Sequence, residues 1–209
     1  MNYIFDFDGT IADSFDHVLE FLLAQAGRNA VGLTDIEHQH LRSLSMRELA
    51  THVGIPLWNL PLVFLRGKAR MANRMARTPL FSGMRQLVID LYTKDQKLYI
   101  VSSNSRRNVM RFLKSQNLDK YFIRVYGNAG WFGKGIILRR IVKRNRLNAD
   151  KTVYIGDEVR DIVGAKLAGL RVIAVSWGFG HEKQLQEYGP TVLVRTIDEL
   201  QKALEGMNV

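Results

Sequence analysis

Apolar runs of strand length recur along this 209-residue chain, and helical patterns fill most gaps between the later ones. The runs lie at 3–7, 97–101, 122–126, 152–156, 171–175 and 191–194. Helical periodicity covers about 82–95, 105–116, 133–147, 159–168 and 196–205. Strand–helix alternation of this kind leaves few folds open. It predicts an α/β protein, a doubly wound parallel sheet with helices on both faces and right-handed crossovers.

The gap after the first run breaks the pattern. From about 14 to 79 no convincing strand occurs, and segments near 14–28, 34–43, 46–53 and 57–77 read as helices. They are separated at Gly27, Gly32 and Gly54-Ile55-Pro56, with Thr34 a plausible N-cap and Thr78-Pro79 closing the region. The division expected is a core of residues 1–13 and 80–209 with a helical insert at 14–79. An insert placed straight after the first strand suits a lid, which excludes water and selects substrate.

Chemistry-bearing residues cluster where strands should end. The first run carries Asp6 and Asp8, followed by Gly9 and Thr10. Alternate strand side chains share a face, so the two carboxylates should start together at the strand's carboxyl end, where open α/β sheets place ligands. One can serve as nucleophile and metal ligand, the other as proton carrier. The second run ends in Ser102-Ser103-Asn104 before a helical segment, a hydroxyl and free N–H groups suited to phosphate. Lys134 stands between two glycines ahead of an amphipathic helix, 22 residues before Gly156. The fourth run ends in Gly156-Asp157, with Asp161 four residues after Asp157. If a helix starts near Glu158, Asp161 lies in its first turn and faces back toward Asp157. A hard, oxygen-only site of this kind suits Mg²⁺.

Together these segments resemble the haloacid dehalogenase (HAD) superfamily. Asp6-x-Asp8-x-Thr10 is similar to its motif I, Ser102 to motif II with Ser103 the runner-up, Lys134 to motif III, and Gly156-Asp157-x-x-x-Asp161 to motif IV. The resemblance covers essentially the whole chain and is nearest to the phosphoglycolate-phosphatase-like branch with a C1 helical cap. It implies a Mg²⁺-dependent phosphatase acting on a small phosphomonoester through an aspartyl-phosphate. Asp6 would attack phosphorus. Asp8 would protonate the leaving oxygen and then deprotonate water. Asp6, the Asp8 backbone carbonyl and Asp157 would bind Mg²⁺. Ser102, Ser103, Asn104 and Lys134 would hold phosphate, and Asp161 would sit behind the metal or orient Lys134. Thr10 would help Asp8 by hydrogen bonding. Dehalogenases of the superfamily lack the second aspartate, so Asp8 argues for phosphoryl chemistry. Glu158, where many relatives have Ser or Thr, is a variation that bears on the metal site. A β-phosphoglucomutase-like phosphotransferase and a non-catalytic HAD binding module are the rival readings.

Composition sets the remaining bounds. The net charge of +10 attracts anions. Two stretches carry it without intervening acids: Arg66, Lys68, Arg70, Arg74 and Arg77, then Arg139, Arg140, Lys143, Arg144 and Arg146. Both read as solvated helix faces, the second with Ile137, Leu138, Ile141 and Val142 on its apolar side; the alternative for the first stretch is that its arginines attract an anionic substrate. Aromatics are not interleaved with these charges, so nucleic acid is not the expected partner; the resemblance implies a small phosphorylated metabolite instead. The five histidines read as ordinary helix or surface residues, His17 being the one placed to approach a substrate. No cysteine is present, which excludes disulfides and thiolate chemistry. No apolar run reaches membrane-spanning length, and no secretion signal is visible. A cytoplasmic protein is expected, and oligomeric state is left open.

Overall fold

In the computed structural model, which describes residues 1–28, 33–60, 62–63, 75–130 and 133–207, six strands form one parallel sheet. They are β1 (Asn2–Phe5), β2 (Lys97–Val101), β3 (Phe122–Tyr126), β4 (Thr152–Gly156), β5 (Arg171–Val175) and β6 (Val192–Val194), in the order β3-β2-β1-β4-β5-β6. The chain begins in the middle of the sheet and winds outward in both directions. The strand order therefore reverses beside β1, which opens a crevice at its carboxyl end.

Burial on both faces explains why these strands read as nearly continuous apolar runs. Tyr3 and Phe5 pack to one side, with Leu98, Ile100, Val153 and Ile155. Ile4 packs to the other, with Tyr99, Val101, Tyr154 and Val172. The first side is covered by α4 (Met84–Thr93), α5 (Arg106–Ser115) and α9 (Ile197–Gly206). The second is covered by α6 (Lys134–Arg144), α7 (Val159–Leu167) and α8 (Glu182–Glu187). Along α6, Leu138 and Ile141 are buried and Ile137 and Val142 pack beside them. Its basic residues Arg139, Arg140, Lys143 and Arg144 are exposed, the solvated face that was expected.

The insert is helical where it is described. It holds α1 (Phe15–Gln25), α2 (Asp35–Arg42) and α3 (Met46–His52). Thr34 caps α2 and Ser45 caps α3, each in a reciprocal box with the glutamate three residues on. The expected helix at 57–77 is 3₁₀ at Leu57–Asn59 and Met75–Arg77. Most of the span between them, with Arg66, Lys68, Arg70 and Arg74, lies outside the described residues. The chain's two passages between sheet and insert run side by side. Asp13 N–H donates to Pro79 C=O (2.9 Å), and Ala12 pairs antiparallel with Leu80. This pins the insert directly beyond the end of β1.

One strand end and one short helix depart most from expectation. The first strand stops at Phe5, not at residue 7. Asp6 N–H still bonds Ile155 C=O (2.8 Å), but the Phe7 carbonyl then turns back to accept from Thr10, Ile11 and Ala12 (3.3, 2.9 and 3.0 Å). Phe7 stays apolar because it packs under the turn, its ring edge-on to Phe112 at 5.0 Å. The short α8 was not foreseen, since only Leu185 of its residues is buried. Among the described residues no helix is long and apolar enough to cross a membrane.

Candidate active site

The ends of β1, β2 and β4 and the start of α6 bring four loops together. Asp6 extends the ladder of β1, and Gly9 lets the chain turn sharply at φ +80°. A Cβ at Gly9 would lie 2.2 Å from Asp157 Oδ2, so only glycine lets the turn approach the β4 loop this closely. Asp6, Asp157 and Asp161 are all buried, and one oxygen from each lies within 4.8 Å of the others.

Lys134, the first residue of α6, is 2% exposed and lies among these carboxylates. Its Nζ is 2.7 Å from Asp6 Oδ2 and also pairs with Asp161 Oδ1. It sits 5.5 Å from the centre of the Tyr154 ring. Burial works against this ammonium, but Asp161 and Asp6 outweigh it, and its pKa is raised. Asp161 has a full set of donors. Oδ1 accepts from Lys134 and from Tyr154 OH (3.1 Å), and Oδ2 from Glu158 N–H (3.0 Å). Burial pushes its pKa up, yet Lys134 and Arg160 prevail and hold it below the ordinary value. Asp161 is the third helical residue of α7 and faces the site from its first turn, as the spacing predicted.

Asp157 does not cap α7; Glu158 occupies that position. Its carboxylate instead accepts from Thr10 Oγ1 (2.8 Å) and from Phe179 N–H (2.8 Å). Burial, followed by the negative charge of Glu158, raises its pKa well above the usual carboxylate range. Thr10 thus serves Asp157 and not Asp8, a correction to the expected hydrogen bond. The turn that brings Asp8 past Thr10 points the hydroxyl across to β4.

Asp8 is held from the β2 loop. Asn104 Nδ2 donates to its Oδ2 at 3.1 Å. The Asn104 amide oxygen is fixed in turn by Ser105 N–H (2.8 Å) and Asn108 Nδ2 (3.0 Å). Burial raises the pKa of Asp8 against the pull of that hydrogen bond. Burial also raises Asp6, to about 7, with Lys134 opposing. Ser102 is buried at the end of β2, and its Oγ accepts from Asn104 N–H (2.9 Å). Ser103 is half-buried beside it.

The sequence reading passed over several contributors. Tyr154, inside the fourth apolar run, was not singled out, yet its hydroxyl donates to Asp161 Oδ1. Phe179 belongs to a loop whose glycines press on the site: a Cβ at Gly178 would lie 2.3 Å from Asp157 Oδ2, and one at Gly180 would lie 2.1 Å from the Asp157 carbonyl. That Gly-Phe-Gly spacing just after a strand was the signal available. Trp177 closes the same loop by donating to Thr10 C=O (3.2 Å). Arg160, paired with Glu158, adds a second cation beside the carboxylates.

The donor set fits a hard divalent cation. Every candidate ligand is oxygen, and the buried carboxylates of Asp6 and Asp157 come within 4.8 Å of each other. With Asp161 committed to Lys134, Tyr154 and the backbone, Asp6 and Asp157 are the carboxylates suited to hold it.

The architecture and the residues define a hydrolase of the open α/β type. The chain belongs to the haloacid dehalogenase-like hydrolase family, which matches residues 3–175. It is 31% identical over 204 residues to the phosphoglycolate phosphatase of Synechococcus elongatus, covering 96% of this chain and 95% of that protein. A predicted phosphatase from Clostridium acetobutylicum shares the fold, with TM-score 0.77, 20% identity and 98% of each chain covered. A putative phosphoglycolate phosphatase from Lactobacillus delbrueckii subsp. bulgaricus superposes with TM-score 0.75 at 26% identity over 97% of each chain.

Proposed function

We propose that this chain, a phosphoric monoester hydrolase of its family, uses Mg²⁺ and an aspartyl-phosphate on Asp6 to hydrolyse a small phosphomonoester of phosphoglycolate-like character. The observation that carries this reading is the pairing of two differently held aspartates. Asp6 lies in salt-bridge contact with Lys134 beside Asp157, while Asp8, two residues on, is held by a hydrogen bond from Asn104. One carboxylate is thereby arranged for attack and the other for proton transfer.

Asp6, Asp157 and the Asp8 backbone carbonyl would hold the metal. When bound, it neutralises charge between the nucleophile and the phosphate oxygens. Lys134, in ion-pair contact with Asp6, would do the same and fixes its angle. Ser102 already accepts a hydrogen bond from Asn104, so its own proton is available to a phosphate oxygen, with Ser103 and nearby backbone N–H groups beside it. An Asp6 oxygen attacks phosphorus as the bond to the leaving oxygen breaks. Asp8 gives that oxygen its proton; burial raises its pKa above the ordinary carboxylate value, which favours the acid form. Asp8 then takes a proton from water, whose oxygen attacks phosphorus, and the bond to Asp6 breaks to restore the carboxylate. Residues 14–79 act as the cap that covers this site. The substrate assignment draws support from the phosphoglycolate phosphatase of Synechococcus elongatus, similar over nearly all of both chains.

The test is Mg²⁺-dependent phosphate release from a panel of phosphomonoesters, 2-phosphoglycolate among them, by the native protein and Asp6→Asn. Release that needs Mg²⁺ and falls by about 10³-fold or more in the variant supports the reading. Equal release by both proteins excludes Asp6 as the nucleophile.

A further inference from the structure

Arg160 is a second cation within the site, and the mechanism above leaves it without a task. It sits in the first turn of α7, directly before Asp161. Its Nε donates to Glu158 Oε2 (2.5 Å), and its Nη2 pairs with the same oxygen. The arginine and glutamate side chains are 20% and 14% exposed. Glu158 immediately follows Asp157, and after burial its charge is the strongest influence on that carboxylate. A third acidic side chain therefore stands next to the pair proposed to hold the metal. A carboxylate left loose beside a hard cation binds it; here a charge-assisted hydrogen bond with the planar guanidinium holds it instead.

The surroundings give Glu158 space to move if released. It and Arg160 line a cleft of about 530 Å³, bounded on the insert side by Ser45, Met46 and Arg47 and on the core side by Phe179 and Gly180. Among the described residues Arg160 is the carboxylate's ion-pair partner, beside the reciprocal capping box that Glu158 forms with Asp161 at the start of α7.

We propose that Arg160 is a positioning residue that keeps Glu158 out of the metal's coordination sphere and so sets the site's preference for a small, largely hydrated cation. The inference rests on the Mg²⁺ reading of the site. Mg²⁺ demands near-octahedral geometry and retains waters, whereas Ca²⁺ accepts six to eight oxygens in looser geometry. A released Glu158 adds one carboxylate, which favours Ca²⁺ over Mg²⁺.

Calorimetric titration of Mg²⁺ and Ca²⁺ into the metal-free protein tests this without any turnover. Removing a nearby positive charge strengthens binding of both divalent ions alike, so the ratio of their affinities isolates coordination from bulk electrostatics. In Arg160→Met the ratio should move toward Ca²⁺ by about tenfold. In the double variant Glu158→Gln with Arg160→Met it should return to near the native ratio. Arg160→Lys keeps the charge but loses the fork, and should fall between, which guards against misfolding of the methionine variant. An unchanged ratio in folded Arg160→Met, or a shift that persists in the double variant, overturns the proposal. Failure of the native protein to bind either ion would overturn the metal site itself, a separate result.

Discussion

Replacing Lys134 with methionine removes an ammonium and keeps most of the side chain's volume. The structure sets the size of the effect. Lys134 is buried with Asp6 on one side and Asp161 on the other, so its loss strands two buried carboxylates. Breaking such a pairing costs about 3–5 kcal/mol of stability. The two carboxylates divide that cost differently with pH. Burial raises Asp6 from its ordinary 3.8 to about 7 even with Lys134 opposing, and the variant pushes it higher. A carboxyl raised in the folded state contributes stability below its unfolded pKa and loses it as pH climbs through the folded one. Asp161 behaves oppositely: burial raises it, Lys134 and Arg160 lower it further, and its contribution is present above 3.8 and lost as pH falls. At pH 5.5 Asp6 is protonated in both proteins, so only the Asp161 share of the penalty remains. Urea unfolding of the metal-free proteins should show the full loss at pH 8 and a loss smaller by about 1–2 kcal/mol at pH 5.5. A penalty below about 1 kcal/mol at pH 8, or one equal at the two pH values, would refute the reasoning.

Three further outcomes are expected. Gly178→Ala places a methyl 2.3 Å from Asp157 Oδ2 and 2.4 Å from Gly9 C=O, which should weaken Mg²⁺ binding by about tenfold or more, with circular dichroism unchanged. Asn104→Ala removes the hydrogen bond that draws down the Asp8 pKa. Its kcat should fall about 10- to 100-fold, with the Asp8 limb of the pH–rate profile moved upward and little change in KM. Mg²⁺ should raise the melting temperature more at pH 8 than at pH 5.5. Below about 7 the proton on Asp6 competes with the metal, so equal shifts at both pH values would contradict the assignment.

Much of the fold was legible because both faces of the sheet are covered. Segments such as Leu98-Tyr-Ile-Val101 and Val153-Tyr-Ile155 are buried on both sides and so announce themselves as unbroken apolar runs. The first strand's end was misread because Phe7 is as buried as Phe5, although its carbonyl already belongs to the turn. The site was legible where one short segment supplies its chemistry: Asp6 with Asp8, Asp157 with Asp161, and Lys134 at a helix start. It was not legible where distant segments meet. Thr10 reaches Asp157 across 147 residues and Phe179 N–H reaches it across 22, and neither contact leaves a trace in local pattern. Arg160 sat in plain view inside the fourth motif. Only the structure shows its guanidinium turned onto Glu158.

The central claim is that Asp6 carries the phosphoryl group. Asp8→Asn should slow the hydrolysis of an aspartyl-phosphate more than its formation from p-nitrophenyl phosphate, whose leaving group needs no protonation. Rapid acid quench of that variant with Mg²⁺ and substrate, followed by peptide mass spectrometry, should find a phosphoryl group on Asp6. The double variant with Asp6→Asn should show none. A phosphoryl group on any other residue, or turnover without a labelled peptide, would contradict the account.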